Sequence, residues 1–115
     1  MYSIGQVSEK FNLPVSTLRY YDKEGLLPNI ERSSGIRKFS DRDLETLNVI
    51  ECLKKSGLEI KDIRQFIQWC AEGNGTYSKR LELFIKQKEN VEKEMKRLEK
   101  PRAMLSSSAG IMNRR

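Results

Sequence analysis

Four side chains in the stretch PVSTLRYYDKEGLL, residues 14–27, are of types that touch nucleic acid: the hydroxyl of Ser16, the guanidinium of Arg19, the phenol of Tyr20 and the ammonium of Lys23. On a helix they fall at i, i+3, i+4 and i+7 and share a face, while Val15, Leu18 and Tyr21 turn to the opposite side. One face can bury and the other can offer donors to phosphate oxygens and base edges. An ordinary solvated helix can show the same spacing, so the elements that would position these residues must decide.

Ser3 and Gln6 form a capping box, and Ile4, Val7, Ser8 and Phe11 repeat at helical spacing, predicting a first helix over residues 4–11. Asn12, Leu13 and Pro14 break it, and two short helices joined so closely make a helix-turn-helix, whose second helix is presented to the major groove. Gly25 can take the left-handed conformation that closes the second helix, with Leu26 folding back and Pro28 forbidding continuation. Residues 29–32 and 36–39 flank the small-residue turn Ser33-Ser34-Gly35 and read as a two-stranded hairpin, a wing carrying Arg32, Arg37 and Lys38. Without the helices before it, a solvated hairpin with ordinary surface charges is the simpler reading.

Ser40 caps a third helix with Asp41 and Asp43 in its first turn, where negative charge suits the helix dipole. Leu44, Leu47, Val49, Ile50, Cys52 and Leu53 span a broad apolar arc, and Gly57 ends the helix after Lys54 and Lys55. A fourth helix over about residues 60–71 should bury Ile60, Ile63, Phe66, Ile67 and Cys70, with Trp69 on the flank. The loop of residues 56–59, beside Lys55 and Lys61, reads as a second basic projection.

Residues 72–75 form a flexible break, and Thr76 is a suitable cap for a helix running from Tyr77 to Lys100. Leu81, Phe84, Lys88, Val91, Met95 and Leu98 alternate by three and four, continuing through Arg102 to Leu105, which is a heptad seam. Such a helix pairs with another copy of itself or packs on its own domain, and the narrow seam favours a homodimer. Glu82 with Lys86, Glu89 with Lys93 and Glu92 with Lys96 add acid-before-base pairs one turn apart, each worth about 0.3–0.5 kcal/mol. Pro101 should kink or stop the helix near Lys100, since an interior proline costs roughly 3 kcal/mol. The expected organisation is thus a DNA-binding domain over residues 1–71, a linker over 72–75, a coiled-coil dimerisation helix over 76–100 and a flexible tail over 101–115.

A chain of 115 residues, 37% hydrophobic and 33% charged, fits one compact domain plus an appendage. The net charge of +6 is unevenly spread: six Lys/Arg face four Asp/Glu in residues 1–40, five face seven in 41–75, and eleven face five in 76–115. Basic balance alone is therefore weak support for nucleic acid. No apolar run approaches the roughly 18 residues of a membrane span, and the start lacks a signal-peptide pattern, so a soluble, cytoplasmic protein without membrane contact is expected. There is no histidine, and Cys52 and Cys70 fit neither a redox pair nor a zinc site. No metal, cofactor or catalytic constellation is expected, and hence no enzyme.

The order YSIGQVSEKFNLPVSTLRYYDKEGLLP, then RSSGIRKFSDRDLETL, then LKKSGLEIKDIRQFI, then a long heptad helix, closely resembles the MerR family of bacterial transcription regulators over about residues 1–100. The resemblance implies a mainly α fold, a winged helix-turn-helix domain followed by a long helix that pairs antiparallel in a dimer. It also implies that the dimer bends and untwists double-stranded promoter DNA whose polymerase-recognition elements are spaced too far apart, acting with RNA polymerase. Carried over by position, the DNA contacts fall on Ser16, Thr17, Arg19, Tyr20, Arg37 and Lys61, to which the charge pattern adds Lys23 and Lys38. Dimerisation falls on Leu81, Phe84, Val91, Met95 and Leu98. Phe39 departs from the family, which usually has tyrosine there. The cysteines of metal-sensing members and the ligand domain of multidrug-sensing members are absent, but Cys52, in IECLKKSGL, occupies a place similar to that of an electrophile-sensing cysteine in small members. A cysteine merely buried on the apolar arc is the competing reading. The competing functions are an excisionase-like architectural DNA-bending protein without effector, and a coiled-coil interaction module with no DNA role.

Overall fold

The computed structural model describes residues 1–112 and divides the chain into two compact units, the first spanning Met1–Thr76 and the second beginning at Tyr77. The first unit holds α1 (Ile4–Phe11), α2 (Val15–Lys23), β1 (Glu31–Ser33), β2 (Ile36–Lys38), α3 (Asp41–Lys55) and α4 (Ile60–Glu72). The second holds α5 (Tyr77–Met112).

Local chemistry accounts for most of these boundaries. The expected capping box opens α1: the Gln6 backbone N–H donates to Ser3 Oγ at 3.2 Å, and the Ser3 backbone N–H donates to Gln6 Oε1 at 2.8 Å. Asn12, in the left-handed region at φ 52°, closes α1, and the Leu13 N–H turns back to the Ser8 carbonyl. At the end of α2, Gly25 takes φ 78°, its N–H reaches the Asp22 carbonyl and the Leu26 N–H reaches that of Tyr21, a Schellman closure. Ser40 and Asp43 form a second capping box at α3, with Asp43 buried.

β1 and β2 pair antiparallel with Glu31 opposite Lys38, Arg32 opposite Arg37 and Ser33 opposite Ile36. The two-residue loop Ser34-Gly35 has φ 53° and 77°, both positive, which matches the type I′ turn that suits the twist of a hairpin. Tyr2 bridges Phe39 through two backbone hydrogen bonds of 2.7 and 2.8 Å, and its phenol donates to Asp41 at 2.9 Å. The chain before α1 is thereby tied to the base of the wing. Phe39 itself is fully buried, so its departure from tyrosine falls on a packing position.

The core of this unit gathers Val7, Leu18, Tyr21, Leu26, Leu27, Phe39, Leu44, Leu47, Ile50, Leu53, Ile63, Phe66 and Ile67. The apolar arc of α3 is narrower than its sequence suggests: Leu44, Leu47, Ile50 and Leu53 are buried at three-residue steps, while Cys52 is exposed. Cys70, expected inside α4, is exposed too. Both expectations fail because one stripe per helix faces this small core, and each cysteine lies beside its stripe rather than on it. Thr76 is buried, and its hydroxyl lies 2.7 Å from the carbonyl oxygens of both Trp69 and Gly73, sharing its one proton between acceptors at the end of α4.

The second unit corrects another expectation. α5 does not stop near Lys100; it runs as helix through Pro101 to Met112, and Ser106, Ser107 and Ser108 belong to it rather than to a tail. One proline removes one main-chain donor and crowds one turn, a cost of about 3 kcal/mol that flanking helix formers such as Lys100, Arg102, Ala103 and Leu105 can offset. The heptad phase passes through it unbroken, so Leu98, Leu105 and Met112 are successive seven-residue steps on one side. The tail expectation for residues 113–115 lies outside the described residues. On α5 the carboxylate of Glu92 lies 3.8 Å from Lys88 rather than reaching forward to Lys96, and Glu94 pairs with Arg97.

Candidate nucleic-acid interface

α2 is held by its buried face and by its last turn. Leu18 and Tyr21 are buried, as are Leu26 and Leu27 just beyond the helix, each contributing about 1.5–3 kcal/mol by leaving water. The Tyr21 phenol donates to Glu51 Oε1 at 2.7 Å and accepts from Lys54 Nζ at 3.0 Å, binding α2 to α3. Burial pushes the Tyr21 phenol above its ordinary pKa, opposed by the Lys54 hydrogen bond and reinforced by Glu51. The Lys54 ammonium is raised in turn, chiefly because it donates to that phenol.

Asp22 joins α2 to the wing. Its Oδ2 accepts from Arg37 Nε at 2.7 Å and from Arg32 Nη2 at 2.5 Å. Glu24 joins α2 to α4: Arg64 Nε donates to the Glu24 carbonyl at 2.6 Å, and the Arg64 guanidinium pairs with the Glu24 carboxylate. Three different elements thus grip the last turn of α2 and its cap residue, which fixes the helix axis and its rotation.

The grip leaves the opposite face clear. Ser16, Arg19 and Lys23 are exposed, Thr17 is half-buried, and the Tyr20 ring is 47% exposed, tilted against Tyr21 at 6.2 Å between centroids. Among the described residues, Arg19, Lys23 and Lys38 have no carboxylate within ion-pairing distance. The structure therefore brings Ser16, Arg19, Tyr20 and Lys23 together on one surface. Arg37 and Lys38 follow on β2, both half-buried, Arg37 through its bond to Asp22. Lys61, at the start of α4, is exposed and lies 3.6 Å from Glu59.

Sequence reasoning missed Asp22, Glu24 and Arg64. Their contacts span 10, 15 and 40 residues, so no helical period or turn motif announces them. An available signal was the acid at each of two places in an otherwise cationic helix end.

A short helix pair, a wing behind it and a donor-bearing second helix define a winged helix-turn-helix DNA-binding protein. A family model for the MerR HTH family of regulatory proteins matches residues 2–69, and the chain belongs to that family. An uncharacterized HTH-type transcriptional regulator of Haemophilus influenzae is 44% identical over 91 residues, covering 78% of this chain and 67% of that protein. The HTH-type transcriptional regulator AdhR of Bacillus subtilis is 31% identical over 90 residues, covering 77% of this chain and 64% of that protein. The chain thus matches about two thirds of the length of these relatives. Among solved structures, HiNmlR, a MerR family regulator lacking the sensor domain and bound to promoter DNA, aligns with a TM-score of 0.87 and 38% identity over 95% of this chain and 87% of that one. A MerR family transcriptional regulator from Bacillus thuringiensis aligns with a TM-score of 0.83 and 39% identity, covering 95% and 96%.

Proposed function

We propose that this chain is a homodimeric, sequence-specific DNA-binding transcription regulator that bends and untwists a promoter with an over-long spacer, for use by RNA polymerase in the bacterial cytoplasm. The observation that carries the reading is the face of α2: donors at Ser16, Arg19, Tyr20 and Lys23 aimed outward from a helix fixed by three neighbours. Rigid presentation matters because base reading requires side chains to arrive at base edges without further ordering cost. Within this reading Ser16, Thr17, Arg19 and Tyr20 work at the major groove with Lys23 beside them, while Arg37, Lys38 and Lys61 meet flanking phosphates.

The exposed row on α5 supports the dimeric part of the reading. Leu81, Phe84, Met95 and Leu98 are 42–68% exposed, with Val91 half-buried, an apolar row that a second copy would cover. Two α2 helices in one dimer would then address half-sites a helical turn or more apart, about 34 Å or a multiple of it. The relative HiNmlR, bound to promoter DNA, supports DNA as the partner.

Footprinting tests the reading. Protection of an inverted repeat within a promoter, with altered mobility of circularly permuted fragments from bending, is the expected result. Protection of a recombination attachment site away from promoters would instead favour an excisionase-like role, and no protection of any sequence would leave an interaction module. Cys52, exposed on α3, keeps its proposed part in electrophile sensing: Cys52→Ser should abolish the transcriptional response to aldehydes while leaving DNA binding intact.

A further inference from the structure

Arg32 and Arg37 are register partners on the two strands of the wing, so two positive charges project from directly opposed positions. Like charges so placed repel and should splay apart. Both instead converge on a single oxygen, Asp22 Oδ2, and the Asp22 side chain is only 10% exposed. The backbone of Asp22 is equally constrained, since its carbonyl accepts the Gly25 N–H at 3.1 Å in the closure of α2.

We propose that Asp22 is a specificity-determining positioning residue, which locks the cations of the wing to the recognition helix so that phosphate contact and base reading can occur in one geometry only. The proposal rests on the DNA-binding reading above. The bond to Arg37 is made through Nε, which leaves both terminal nitrogens of that guanidinium as donors for a phosphate, in an orientation fixed by the fork's planarity. Asp22 therefore aims Arg37 rather than consuming it. The carboxylate also has an electrostatic effect of the opposite sign: beside a phosphate backbone it repels, which weakens attraction to any duplex regardless of sequence. Orientation favours the right site and repulsion disfavours all sites alike. The difference between the two is specificity.

The test compares the full chain with its near-isosteric variant Asp22→Asn, on the duplex protected in footprinting and on a scrambled duplex of equal length. Titrations would span about 50–200 mM salt, where phosphate contacts declare themselves. The ratio of specific to non-specific affinity should fall about tenfold, with non-specific affinity unchanged or raised, on the scale of one charge-assisted contact. In a background lacking both wing arginines, Arg32→Ala with Arg37→Ala, the same change should leave the ratio where that background alone puts it. An unchanged ratio, or both affinities falling together with the melting temperature, overturns the proposal. Should Asp22→Asn fail to fold, Asp22→Glu keeps the charge but displaces it by one methylene, and the same fall in ratio is expected; an unchanged ratio there overturns it equally. If the unaltered protein prefers no duplex at all, the DNA-binding reading fails with it, whereas a preference that survives in the variants removes only the role of Asp22.

Discussion

The first unit and α5 satisfy their side chains in opposite ways. In the first unit thirteen hydrophobic residues are buried, and Tyr21, Asp22 and Glu24 each find a partner on another element. On α5 Leu81, Phe84, Ile85, Met95, Leu98, Leu105 and Met112 remain between 42% and 79% exposed, and Lys88 with Glu92 and Glu94 with Arg97 pair along the helix. A fold that buries its own apolar surface is a complete solution for one chain. A helix with a repeating apolar row leaves that row uncovered, and the proposed pairing with a second copy is what would cover it.

That contrast can be broken most forcefully on α5. Leu98→Asp should turn the proposed dimer into a monomer: losing a leucine that pairing would bury in each copy removes about 3–6 kcal/mol of association, read by sedimentation equilibrium as a rise in Kd of about two to four orders of magnitude. Leu18→Ala, in the first unit, should instead leave association alone and cost about 2–5 kcal/mol in unfolding by denaturant, because it opens a cavity beneath α2. Equal effects of the two changes on association would erase the distinction. Pro101→Ala should raise the thermal midpoint by restoring a main-chain hydrogen bond, a gain of up to about 3 kcal/mol. No gain would show that the proline costs the helix little at this position.

Smaller effects sharpen the interface. Arg19→Ala should cost about 1–3 kcal/mol in binding to the specific duplex with no change in melting, and an unchanged affinity would remove Arg19 from the contact surface. Tyr21→Phe should destabilise by about 1 kcal/mol near neutral pH through loss of its two hydrogen bonds. Its pH dependence has a defined sign. The folded-state pKa values of Tyr21 and Lys54 are both raised, so the stability they contribute is fully present below their ordinary values of 10.0 and 10.5 and is lost as pH rises through the folded values. Denaturation followed from neutral to strongly alkaline pH should therefore show a loss that shrinks in Tyr21→Phe.

The order of residues alone was enough wherever short-range chemistry governs. Ser3 with Gln6 and Ser40 with Asp43 opened their helices, Gly25 closed α2, and the two faces of α2 separated as helical spacing requires. These features depend on residues within a turn of each other, where backbone geometry leaves few alternatives. Tertiary packing settled everything that depends on distant neighbours. It placed Cys52 and Cys70 outside the core, because the width of a buried stripe is set by the helices packed against it and not by the helix that carries it. The continuation of α5 past Pro101 was decided along the helix itself, where one local penalty is weighed against the helix formers on both sides of it. Tertiary packing joined Asp22 to Arg32 and Arg37, because side chains 10 and 15 residues apart meet only once the wing has folded against the end of α2. The donors of the recognition helix were legible in the order of residues; the bonds that aim them were not.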